Sequence, residues 1–122
     1  MKLPNGNRAM VPDDKLFGYL LNEAHESQAG HAELFRRLLG IAVENGELLR
    51  TALLSAAATR EATLGAPSPY GVKYEVRFEM TGPRQPYTIL SVWIIEHGKA
   101  DPRLVTLSSS RQWTKRFANM MP

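Results

Sequence analysis

VKYEVRFEM, residues 72–80, alternates apolar and charged side chains without a break. Val72, Tyr74, Val76, Phe78 and Met80 share one parity, and Lys73, Glu75, Arg77 and Glu79 share the other. Successive side chains of a strand point to opposite faces, so this period of two describes a strand with one covered and one wet face. Downstream, YTILSVWII (87–95) is apolar on both parities except at Thr88 and Ser91, which suggests a central strand. RLVTL (103–107) supplies a third. The links TGPRQP and HGKADP are short enough for antiparallel neighbours.

Upstream the period changes. Leu16, Phe17, Leu20, Leu21 and Ala24 fall on one helical face after Pro12-Asp13-Asp14, where Asp13 can cap exposed amides and early acidic charge suits the helix dipole. Leu34, Phe35, Leu38 and Leu39 repeat the pattern and end at Gly40, well suited to the left-handed residue after a helix. Asn45-Gly46-Glu47 opens a third helix with Leu48, Leu49, Ala52, Leu53, Ala56 and Ala57 on its face. Residues 62–71, with Gly65, Pro67, Pro69 and Gly71, read as a loop. Helices followed by strands predict an α+β fold: three N-terminal helices packed on an antiparallel sheet of three to four strands. The expected organisation is a single domain over residues 1–107 and a basic amphipathic tail over 108–122, with a short C-terminal helix.

Composition fits this plan. A chain of 122 residues that is 43% hydrophobic matches one ordinary globular core. The absence of cysteine excludes disulfides, thiolate metal sites and cysteine nucleophiles, and points to a reducing, cytoplasmic compartment. No stretch resembles a signal peptide or a membrane span. Charge is uneven: residues 1–70 hold seven basic and eight acidic side chains, whereas 71–122 hold eight and four. Ten of the fifteen basic residues are arginine, whose planar fork suits phosphate and carboxylate.

Phosphate-loop, dinucleotide, nucleophile-elbow and zinc-protease motifs are missing; His25-Glu26 begins like HExxH, but Ala29 stands where the second histidine belongs. His25 and His31 lie six residues apart across a Gly-containing break, a spacing that places two ligands on one helical face poorly, so no metal and no cofactor is expected. Acid–base chemistry is better motivated. Two imidazoles can take a proton from one oxygen and give one to another, which suffices to cleave RNA through its own 2′-hydroxyl. Arg77 or Arg103 would hold the phosphate and Ser91 or Thr106 would orient it. If Leu90, Val92 and Ile94 face the helices, Ser91 and Trp93 join Glu75, Arg77 and Glu79 on the charged face. The plainer alternatives are an interhelical turn at His25–His31 and a solvated strand face with cross-strand ion pairs.

In the tail, Trp113, Phe117, Met120 and Met121 recur at helical spacing, with Arg111, Lys115 and Arg116 mostly elsewhere. Such a helix docks on its own sheet, binds a partner or nucleic acid through Arg111, Trp113, Lys115, Arg116 and Phe117, or lies on a membrane surface.

The segments LPNGNRAMVPDDKLFGYLLNEAH, GHAELFRRLLG, YGVKYEV, SVWII and PRLVT, in that order, resemble a family of small uncharacterised bacterial proteins over roughly residues 3–107. The helices-then-sheet layout is similar to that of the barnase, EndoU, colicin and RelE group of metal-independent ribonucleases, many of them toxins. That resemblance implies RNA as substrate and an antitoxin or immunity protein as partner. The family's lysine-alanine pair stands here as His31-Ala32, which would replace a fixed cation by a pH-dependent one. The competing expectation is a non-enzymatic protein, such as an inhibitor or an accessory factor from a mobile element or phage, that binds a macromolecule through its C-terminal helix or a sheet edge.

Overall fold

The computed structural model describes residues 1–17, 36, 40, 41, 43–81 and 86–108. Its frame is a four-stranded antiparallel meander in the order β1 (Ala62–Leu64), β2 (Gly71–Thr81), β3 (Pro86–Glu96), β4 (Arg103–Ser108). The three strands expected from period and composition are present, each a residue or two longer than their apolar cores. β1 is the addition. It occupies the start of the stretch read as loop, where Ala62 pairs with Val76 and Leu64 with Tyr74. Three residues are too few to display a period, and only β2 makes them a strand.

The expectation of three N-terminal helices is corrected. Among the described residues there is one long helix, α2 (Glu47–Thr59), together with a single turn, α1 (Asp13–Lys15), and 3-10 turns at Gly6–Arg8 and Val43–Asn45. The second expected helix, save Arg36, and most of the first lie outside the described residues, as does the expected C-terminal helix. α2 begins where Asn45-Gly46-Glu47 places it and buries Leu49, Leu53, Ala56 and Ala57, while Leu48 stays exposed. Gly40 has φ 69°, the left-handed conformation that its place after a helical pattern predicted. Asp13 does not cap; it pairs with Arg50 of α2, which also pairs with Glu47 at 2.7 Å and lies 5.4 Å over the Phe17 ring.

Residues 1–11 perform a task that no helical pattern announced. They strap the sheet from edge to edge: Lys2 bridges to Glu61 just before β1, and Met10 bridges to Arg103 at the start of β4. Between these ends Leu3 enters the core, Asn5 adopts the left-handed region at φ 54° and donates from its side chain to Ala100 O at 2.8 Å, and Arg8 pairs with Asp101 at 2.8 Å. Asparagine tolerates that conformation better than most residues. Gly6 passes so close to α2 that a Cβ there would lie 2.0 Å from Ala57 O. The quoted Leu3-Pro4-Asn5-Gly6 is thus a turn that lays the strap on the helix.

The core lies between α2, the strap and one sheet face: Val76 and Phe78 from β2, Ile89 and Trp93 from β3, Leu104 and Leu107 from β4. Leu104 and Leu107 share this face although they stand three positions apart, an odd spacing that a regular strand would put on opposite faces. A register shift between Val92 and Trp93 supplies the reason, since Trp93 pairs with Leu104 but Val92 pairs with Thr106, leaving Val105 as the extra residue of a bulge.

A candidate anion-binding cleft

β2 outruns its neighbour on one side. β1 pairs only with Tyr74–Val76, and among the described residues the edge from Arg77 to Thr81 is bonded to β3 alone. The chain leading from α2 into β1 passes beside that edge. An open cleft of about 290 Å³ results, lined by Arg60, Arg77, Phe78, Glu79 and Thr88. Arg60 comes from the end of α2, Arg77 and Glu79 from the wet parity of β2, and Thr88 from β3 directly opposite Glu79.

The charges in this cleft are available. Arg60 and Glu79 have no ion-pair partner among the described residues, and Arg77 approaches Glu75 only at 3.8 Å while remaining largely exposed. Glu61, which follows Arg60, is engaged elsewhere: a hydrogen bond from the Met1 amino group, reinforced by that group's charge, holds its carboxyl below the usual carboxylate range. Two arginines lining one open cleft bring fixed positive charge to it from two elements, and a hydroxyl and a carboxylate line it beside them.

The other expected site residues are dispersed. Ser91 is wholly buried opposite Val76, where its hydroxyl donates to Val76 O at 2.7 Å and accepts from Trp93 Nε1 at 2.9 Å. Ser91 and Trp93 therefore belong to the core face, the reverse of the face assigned from the sequence, and Leu90, Val92 and Ile94 share the side of Arg77. An all-apolar strand carries no parity signal; the pairing of β3 with β2 decides it. Arg103 lies on the outer face beside Ile94, paired with Glu96 at 3.1 Å. It is four residues further along β3 and two strands across from Arg77, roughly 16 Å by ordinary strand geometry. Thr106 occupies the middle of that face in the row of Glu75 and Val92. His25, His31, Arg111, Trp113, Lys115, Arg116 and Phe117 lie outside the described residues. His97 is exposed in the β3–β4 turn.

Arg60 was missed because it follows the last helical residue and shares no motif with the strands. Thr88 left a trace: it interrupts an apolar strand on the parity that faces Glu79. Among the described residues no group of side chains has metal-site geometry, and no helix is long and apolar enough to cross a membrane.

Neither the curated proteins nor the solved structures contain a match. A family model does match, over residues 2–110, a span that takes in the strap, α2 and all four strands. The chain belongs to that family, DUF6883, a domain of unknown function.

Proposed function

We propose that this domain binds RNA at the Arg60–Arg77 cleft and acts as a metal-independent ribonuclease of the toxin type. The observation that carries this reading is the convergence of two arginines from different elements on one open cleft that also holds Glu79 and Thr88. Arginine pairs neutralise phosphate in the ground state and, where charge develops, stabilise the transition state. In the reaction the ribose 2′-oxygen attacks the adjacent phosphorus and the bond to the 5′-oxygen breaks, leaving a 2′,3′-cyclic phosphate and a 5′-hydroxyl. One imidazole of the His25–His31 pair takes the 2′-hydroxyl proton and the other gives a proton to the leaving oxygen.

The test is incubation of purified protein with end-labelled single-stranded RNA in excess chelator. Cyclic phosphate ends are expected, and Arg60→Ala with Arg77→Ala should weaken RNA binding and lower the salt dependence of log K by about one per arginine removed. Wild-type protein that neither retains nor cleaves RNA overturns the proposal.

A second reading, a protein-binding module, draws on the edge of β2 from Arg77 to Thr81, whose outward backbone groups could accept a partner's strand. It predicts capture of a protein with no RNA retained, and the same binding assay separates the two.

A further inference from the structure

The cleft contains a feature that a general phosphate grip does not need. Glu79, an exposed carboxylate, lines it together with both arginines, and Thr88 stands directly across the ladder from it. A carboxylate beside a phosphate raises the energy of a bound polyanion by like-charge repulsion, so a site that gripped phosphate alone would do better without it. The same carboxylate accepts hydrogen bonds and cannot donate them while ionised. It is therefore matched to a ligand that presents a donor next to its phosphate. In a ribonucleotide strand the 2′-hydroxyl is such a donor, close to the 3′-phosphate; in a deoxyribonucleotide strand the position carries only hydrogen.

We infer that Glu79 is the residue by which this domain distinguishes RNA from DNA, accepting the 2′-hydroxyl proton in a hydrogen bond while Arg60 and Arg77 hold the adjoining phosphate and Thr88 donates to one of its free oxygens. This rests on the reading of the cleft as an RNA site. The role is recognition in the bound ground state: the hydrogen bond to Glu79 positions the 2′-oxygen without transferring its proton, and the hydroxyl turns from Glu79 to the imidazole before cleavage. Size agrees, since about 290 Å³ is at the lower end of ligand-site volumes and suits one sugar and phosphate, not a stacked duplex.

The experiment measures fluorescence anisotropy of one single-stranded sequence made as RNA and as DNA, with the RNA verified intact on a gel afterwards. Wild-type protein should prefer RNA by about tenfold or more, the contribution of one hydrogen bond to a charged acceptor. Glu79→Ala should bring the two affinities together and raise that for DNA, because the repulsion is gone as well. Glu79→Gln, which keeps an acceptor of the same shape, should retain part of the preference. Equal binding of RNA and DNA by the wild type, or a preference unchanged in Glu79→Ala, overturns the role of Glu79 and leaves the RNA site standing. Loss of binding to both strands by wild-type protein overturns the site itself. Melting temperatures near that of the wild type are expected for both variants, since Glu79 is exposed and unpaired among the described residues.

Discussion

The indole N–H of Trp93 donates to the hydroxyl of Ser91, two residues earlier on the same face of β3, and that hydroxyl donates in turn to Val76 O on β2. Both side chains are wholly buried. A tryptophan needs an acceptor when its nitrogen leaves water, and a strand bonded only through its backbone offers none in the core. Ser91 supplies that acceptor and holds the ring within the core.

Ser91→Ala should therefore cost more than an ordinary surface change, about 1–3 kcal/mol, because it leaves a buried indole donor without a partner. Denaturant unfolding followed by far-ultraviolet circular dichroism would measure it. If the relay is correct, Ser91→Ala in a Trp93→Phe background should cost measurably less. Equal costs in the two backgrounds would show that the hydroxyl and the ring act separately.

Gly6→Ala should detach the strap from α2. The added carbon would lie 2.0 Å from Ala57 O, a backbone atom in the last turn of α2 that cannot step aside cheaply. Overpacking of this kind costs about 1–3 kcal/mol and sometimes more. Hydrogen exchange should then rise at the amides of Met10 and Leu104, which tie the strap to the β4 region through Pro102 O and Met10 O. Unchanged protection there would mean that the strap does not depend on its seat against the helix.

Arg50→Met tests the polar joint between α1 and α2. The guanidinium pairs with Asp13 and Glu47 and covers the Phe17 ring, and its side chain is only 21% exposed. Methionine preserves most of the aliphatic packing while removing the charge, so the expected loss is about 0.5–2 kcal/mol, the range of a partly desolvated cation–π contact. Thermal unfolding at low and high salt would check it. A salt-insensitive difference would assign the effect to packing alone.

His25→Ala addresses the chemistry. It should reduce RNA cleavage by about 100-fold or more while leaving RNA affinity nearly unchanged, because general acid–base groups act in the transition state. Arg77→Ala should weaken binding as well as turnover. Cleavage by His25→Ala at the wild-type rate would remove the imidazole from the mechanism and leave the cleft as a binding site.

The sequence by itself determined the elements whose side chains repeat. The period of two over residues 72–80, the long apolar run of β3, the start of α2 at Glu47 and the left-handed Gly40 follow from local chemistry, because neighbours in sequence share one backbone conformation and one face. Tertiary structure decided everything that depends on which strand lies beside which. The register of Val76 with Ser91 moved Ser91 and Trp93 into the core, a bulge between residues 104 and 106 turned both Leu104 and Leu107 inward, and an aperiodic stretch at 1–11 became a strap across the sheet. The Arg60–Arg77 cleft belongs to this second group: its arginines are brought together by the overhang of β2 past β1, a relation between hydrogen-bonded neighbours that local periodicity does not contain.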